Sequence, residues 1–329
     1  MTRAWLLVVA AAACTGQGDR AVGGCPPFEV CSPDTPNGLG FLGAPLGDQP
    51  LGRMGPLPVA TGGTQTIRVV TGASSTSPPF DQDFEAVSSD AALGIDSFDP
   101  PDVTVHGLHA GEAHLRILDP DNDLLYDRFT VQVRNVARAL VRPRDACIAT
   151  TDRDFTLQRD MPWVTLAGAT IDVLVQLEGP SGERLADETM LIGAADGVFA
   201  LERESWDVVR VRADAAGVVT VRTGDGVDRN GSVTVVSTVE DILSVPAVGA
   251  AQSTTQAQRP GAIIFCFRAT NGGKLVAGAQ WHFAAPGFTV SAALAPSCTT
   301  VTGTAGQTGT LEVTASGTLR QFALTFSQS

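Results

Sequence analysis

Residues 102–118, "DVTVHGLHAGEAHLRIL", decide the fold. Val103 and Val105 alternate with Asp102, Thr104 and His106, and Ala113, Leu115 and Ile117 alternate with His114 and Arg116. Successive side chains of an extended chain point to opposite faces, so this period of two marks two strands, each burying one face. The "HAGE" between them interrupts the pattern with a glycine, as a turn does. No apolar residues recur at the spacing of a helix.

The same texture runs outward. "TQTIRVV" (64–70) and "RFTVQVRN" (128–135) flank the opening pair, with "DPPD" and "DPDND" as turn clusters. It continues in "TIDVLVQLEG" (170–179), "DVVRVRAD" (207–214), "GVVTVRTGDG" (217–226) and "GSVTVVST" (231–238). It ends in "GAIIFCFRA" (261–269), "AQWHFAA" (279–285), "TGTLEVTASG" (308–317) and "QFALTFS" (321–327). Short strands with frequent turns predict β-sandwiches. They fall into three sets, so the expected architecture is all-β: three tandem Ig-like sandwiches over 59–135, 136–240 and 241–329. No long linker separates them, which predicts a stiff string. "DGVDRNG" (225–231) offers Asp-Gly and Asn-Gly turns, and "NGGK" (271–274) another, because positive φ suits tight hairpins.

Residues 14–58 read as a Gly/Pro-rich spacer, unable to hold a helix or a central strand. Phe41 and Leu42 are its candidates for docking onto the first sandwich. Before it, Arg3 and the apolar run Trp5–Ala13 form a segment about half the roughly 20 residues a membrane span needs, so 1–13 reads as a cleaved export signal. The "AAAC" ending at Cys14 resembles the lipobox of bacterial lipoproteins, with Ala11 where that family prefers Leu. The resemblance implies cleavage before Cys14, acylation of its sulfur, and a membrane partner reached through the lipid. Each buried CH₂ contributes about 0.8 kcal/mol, so two or three chains hold firmly. Thr15, where an Asp would imply inner-membrane retention, points to the outer membrane and a periplasmic or surface-exposed protein.

Export also permits disulfides. Cys25 and Cys31 in "CPPFEVC" could close a small loop, and Cys266 and Cys298 a larger one. Cys147 is left as a free thiol or as a partner of Cys25 or Cys31. Trp281 lies between Cys266 and Cys298, as the indole does in the Cys–Trp–Cys core of antibody domains. The short spacing to Cys298 leaves a bridge between neighbouring strands, or in a loop, as the alternative. No C-x₂-C pair supports a zinc site.

The stretch "AVSSDAALGIDSFDPPDVTVHGLHAGEAHLRILD" (86–119) resembles group 2 bacterial Ig-like domains, through Ser88, Ser89, Asp90, Gly111, Ala113, Leu115 and Ile117. "FRATNGGKLVAGAQWHFAAPG" (267–287) is similar to the Ig-like domains of invasin and intimin type, through Asn271, Gly272, Val276, Gly278, Trp281 and Phe283. "VLVQLEGPSGERLADETMLI" (173–192) resembles the same type more loosely. These resemblances imply sandwich modules acting in adhesion or protein binding.

The residues offer little chemistry. A net charge of −13 and 6% aromatics argue against nucleic acid as a partner, since phosphate binding needs a basic patch and base stacking needs rings. His106, His109 and His114, with Glu112 among them, are weak metal candidates. They span a strand end, a turn and a second strand, so solvated side chains are the plainer reading. Asp119, Asp121 and Asp123, with Asp127, could favour Ca²⁺, but the EF-hand glycine and terminal Glu are missing and an acidic hairpin loop explains them. The G-x-S-x-G elbow is absent, and "GPSGE" around Ser181 reads as a turn. His282, between Trp281 and Phe283 on one strand, should face solvent. The expected protein is not an enzyme and needs no cofactor. Its partner would be an unknown protein or glycan, a passive envelope spacer is the alternative, and a metal-dependent enzyme is the remote third.

Overall fold

The computed structural model describes residues 38–46, 55–72, 76–144, 162–245, 258–293 and 295–328. They form 26 strands, and there is no helix among the described residues. Contacts divide the chain into two units. The described residues of unit 1 are 38–45, 55–72, 76–135 and 179–188, and the others belong to unit 2.

Unit 1 opens with β1 (Gly40–Leu42), β2 (Val59–Ala60), β3 (Thr64–Val70) and β4 (Glu85–Ser88). β5 (Leu93–Asp99), β6 (Asp102–Gly107), β7 (Gly111–Leu118) and β8 (Leu125–Arg134) complete it. One sheet has the order β1-β3-β6-β5 and the other β2-β8-β7-β4. Strands β1 to β5 therefore alternate between the sheets, while β5–β6 and β7–β8 are neighbours within one, as in the ABED and CFG layers of an immunoglobulin constant domain, with β2 running parallel to the last strand. The alternation read from the sequence fills the space between the layers. Ile67, Val69, Val103 and Val105 from one sheet meet Ala113, Leu115, Ile117, Val131 and Val133 from the other. Gly107 lies where the β2 backbone passes, and a Cβ there would sit 2.6 Å from the Ala60 carbonyl oxygen. The turn 179–188 also belongs to this unit: Ala60 N donates to Ala186 O at 2.9 Å, and Thr66 N to Glu188 Oε1 at 2.6 Å.

The expected spacer ends sooner than 58. β1 pairs with β3, Gly40 opposite Val70 and Leu42 opposite Arg68. Leu39 and Leu42 are buried, and Phe41 stacks on Phe129 with ring centroids 5.0 Å apart. An edge strand needs only one row of backbone partners, so a glycine-flanked segment of three residues suffices.

Unit 2 holds two further sandwiches. The first begins with β9 (Arg138–Pro143), β10 (Trp163–Leu166) and β11 (Ala169–Glu178); after β12 (Arg184–Leu185), which lies in the 179–188 turn of unit 1, it goes on with β13 (Leu191–Ala195) and β14 (Val198–Ser205). It continues with β15 (Val208–Ala213), β16 (Gly217–Arg222), β17 (Asp228–Val233) and β18 (Val235–Val236). The second uses β19 (Asp241–Ser244), β20 (Gly261–Asn271), β21 (Lys274–Ala277), β22 (Trp281–Ala284), β23 (Thr289–Ala292), β24 (Cys298–Gly303), β25 (Thr308–Ala315) and β26 (Thr318–Thr325). Their layers repeat one order: β9, β11, β15, β14 with β13-β16-β17, then β19, β20, β24, β23 with β22-β25-β26. Each is again ABED with CFG.

The sheet crosses the expected joint at 240/241. β10 and β18 come from the 136–240 stretch, yet β10 runs parallel to β21, Trp163 opposite Leu275 and Thr165 opposite Ala277, and β18 runs parallel to β10. The Asn-Gly turn expected at 230–231 is also corrected. Both residues lie inside β17, opposite Thr220 and Val219, while Asp225-Gly226 makes the turn with Gly226 at φ 77°. Gly231 is there because the Val141 side chain fills the space a Cβ would take. At 271–274 the expected hairpin is present, with Gly272 and Gly273 at φ 55° and 74°.

Candidate interaction surface

Cys266 and Cys298 are bonded, S–S 2.02 Å, and are direct partners on the adjacent strands β20 and β24. This excludes the antibody-like pin between sheets. Phe265 and Phe267 point into the core, so the period of two turns Cys266 to the outer face, where the bridge packs with Val245 and Ala295. Trp281 sits at the rim of the core, stacked on Phe283 at 6.1 Å. Cys14, Cys25, Cys31 and Cys147 lie outside the described residues.

The histidines do not converge. His106 is on β6 and His114 on β7, in different sheets, and His109 is in the turn between them. His106 Nδ1 lies 3.4 Å from Asp96 Oδ1, and His114 Nδ1 lies 3.2 Å from Thr130 Oγ1. The acidic loop spends oxygens on its own backbone: Asp119 Oδ1 accepts from Asp121 N at 2.9 Å, and Asn122 Oδ1 from Leu124 N at 3.1 Å. Asp127 holds the incoming chain instead, its Oδ2 accepting from Leu39 N at 2.6 Å. No group of three or more His, Cys, Asp or Glu among the described residues could hold a metal ion. His282 is exposed, and Ser181 lies in a turn closed by Gly182 N donating to Gly179 O at 3.0 Å.

Charges on the outer faces are held by cross-strand partners. Arg68 grips Asp102 with two hydrogen bonds of 2.8 and 2.6 Å. Arg210 reaches Asp172, Glu202 and Glu204, and Arg212 lies 5.4 Å over the Phe199 ring while bonding Asp214. Hydrogen bonds from Arg320 hold Asp241, and from Arg222 Asp228, below the ordinary carboxylate range. The strongest case is Asp225, which Arg229 and Thr223 hold down to about 2. Arg229 also donates to Val136 O at 3.1 Å, so one guanidinium ties the β16–β17 turn to the start of its sandwich.

A buried polar chain was not legible in the sequence. Arg138 Nε donates to Glu178 Oε2 at 2.7 Å, Gln176 Nε2 to Glu178 Oε1 at 3.1 Å, and Arg142 Nη2 to Gln176 Oε1 at 3.1 Å. β11 is buried on both faces, so its Gln and Glu need partners, and β9 supplies the arginines. The signal was the pair Gln176 and Glu178 in an otherwise apolar run. This chain joins β9 to β11, with Arg142, Gln176 and Glu178 buried and Arg138 at its exposed end.

For binding, the loops at the two ends of a sandwich are the natural platforms. In the last sandwich the end carrying the β20–β22 connection is occupied by β10 and β21. Gly278, at φ 76°, would put a Cβ 2.6 Å from that of Ala169. The opposite end presents 285–288 and 304–307. Gln307 joins these turns, with Nε2 donating to Gly287 O at 2.7 Å and Oε1 accepting from Thr304 N at 2.9 Å. Phe288 packs on Phe326 behind them, centroids 5.6 Å apart. The two turns thus form a small tip tied together by Gln307.

The molecule is thus an all-β chain of Ig-type sandwiches. No protein-family model matches it, and comparison with curated proteins found no match. Among solved structures, domains 4–9 of the surface layer protein SbsC align with it at 12% identity and TM-score 0.30, over 88% of this chain and 47% of that one. The adhesin FdeC of Escherichia coli aligns at 12% identity and TM-score 0.22, over 87% and 96%. Invasin, a bacterial integrin-binding protein, aligns at 10% and 0.18, over 88% and 59%. The chain spans about half the length of the first of these. The Ig-type topology rests on the strand order, which needs none of these likenesses.

Proposed function

We propose that this chain is a non-catalytic protein of the bacterial cell envelope, tethered by lipid at Cys14 and binding a protein or glycan partner through its sandwiches. The carrying observation is the repeated layer order with filled cores: the interiors are aliphatic and aromatic clusters, so recognition is left to end loops and sheet edges. The tip at 285–288 and 304–307 is the binding end in this reading. No cofactor is required. The test replaces 241–329 with an unrelated sandwich of similar length. Loss of neighbours captured by crosslinking in the native envelope supports binding, and an unchanged set overturns it. For the anchor, Cys14→Ser should abolish fatty-acid labelling and release the protein from membranes. Continued labelling would exclude Cys14 as the acylated residue.

The spacer reading is favoured by one observation: in unit 2 the passage between sandwiches is made through paired strands, β10 with β21 and β18. Such a joint resists bending, as a spacer requires.

A further inference from the structure

We propose that β13 is a self-association edge, pairing antiparallel with β13 of a second copy of this chain about a two-fold axis at Gly193. The β13-β16-β17 sheets of the two copies would then join into one. β13 bonds β16 on one side, from Leu191 opposite Arg222 to Ala195 opposite Val218, with no break in register. Among the described residues no strand pairs with its other side. An edge strand leaves a row of backbone N–H and C=O groups that only another strand satisfies fully.

The neighbouring edge shows what protection looks like. β14 shifts register twice, at Ala200/Glu202 and Arg203/Ser205, and carries Glu202, Arg203 and Glu204. Arg203 folds back to donate to Ser205 O at 3.1 Å and Trp206 O at 2.8 Å. Bulges and edge charges keep other strands away. "LIGAA" has no bulge, charge or proline.

Gly193 is the second observation. Glycine inside a strand weakens it, and it is retained where the backbone bends or another chain comes close. Gly193 has no left-handed φ, and a Cβ there would meet nothing within 4 Å. Among the described strand glycines without a left-handed φ, it alone would meet nothing within 4 Å. No described neighbour requires a glycine there.

Three features select a second copy as the occupant. Paired antiparallel about Gly193, the strand sets Leu191 against Ala195 and Ile192 against Ala194, large against small, with glycine on the axis. Leu191, 61% exposed, gains cover. Charge also fits. The chain carries −13, so contact between copies elsewhere tends to set acid against acid. Here the five paired residues are neutral, and Asp196 of each copy is carried to the Arg222 end of the other's strand. An interface this small predicts a weak, concentration-dependent dimer.

Sedimentation velocity on the full chain, from low-micromolar to sub-millimolar protein, should show a monomer–dimer equilibrium that Gly193→Lys abolishes. Register is tested by oxidative crosslinking scored above the wild-type background on non-reducing gels. Gly193→Cys should crosslink to its own mate. Leu191→Cys should not, but should do so when mixed with Ala195→Cys. A chain that stays monomeric throughout, a dimer that Gly193→Lys leaves intact, or Leu191→Cys crosslinking to itself would each overturn the proposal. Because the Cys variants make a smaller change, they keep the test decisive should Gly193→Lys fail to fold.

Discussion

Asp225 is a residue whose charge state should be visible in stability. Its folded value of about 2 lies below the 3.8 it has when free, because Arg229 and Thr223 bond the ionised form. Stability from this group is therefore complete above about pH 4 and is lost as pH falls toward 2. Asp225→Asn should flatten the acid limb of a melting-temperature profile between those values, lowering the melting temperature at pH 4 and at pH 7 by more than at pH 2. An unchanged acid limb would remove Asp225 as its cause. Cys266 and Cys298 give a second residue-scale expectation. Closing a loop with sequence separation 32 stabilises by about 3–4 kcal/mol in the chain-entropy account. Cys266→Ala with Cys298→Ala should lower denaturant stability by that order. The core should keep its shape, since the bridge packs on the outer face away from Phe265 and Trp281.

At the scale of elements, β1 is held by ladder bonds, by Asp127 and by the stack of Phe41 on Phe129. Phe41 is half-buried, so Phe41→Ala should cost about 1–2 kcal/mol, below the full price of a core ring. Limited proteolysis should then cut near 38–46 sooner than in wild type. Equal cutting would mean β1 is held by its backbone alone. Strands such as β3, β6, β7, β11 and β16 were legible because one face is apolar and the other polar. Several others were not, for physical reasons. β14, "VFALERES", is bulged, so its period breaks. β24, "CTTVTG", spends threonines on both faces, and β10, "WVTL", exists because β21 and β18 flank it, which local sequence cannot show. The site was less legible still. The histidine run spans a strand end, a turn and a second strand in the sequence, and the turn after β6 does send His106 and His114 to different sheets, so the metal alternative finds no shared site there. Asn230-Gly231 carried a turn signal but serves close packing against Val141.

For the whole molecule, the consequential feature is that strand pairing in unit 2 ignores the boundary the sequence suggested at 240/241. A four-residue strand has no independent stability, and β10 persists because β21 supplies partners along Trp163–Thr165. The sandwiches of unit 2 should then be energetically coupled. Cutting the chain after residue 240 removes β21, so the amides of 163–166 should lose hydrogen-exchange protection even though the β9-β11-β15-β14 layer remains. In the full chain, substitution of Val276, buried opposite Val164, by Lys should have the same local effect without removing a sandwich. Unfolding followed by tryptophan fluorescence should report this joint through Trp163, whose Nε1 donates to Val141 O at 2.9 Å. If 163–166 stay protected in both variants, the strands are held by their own sandwich, and the stiffness that suits a spacer has to come from elsewhere.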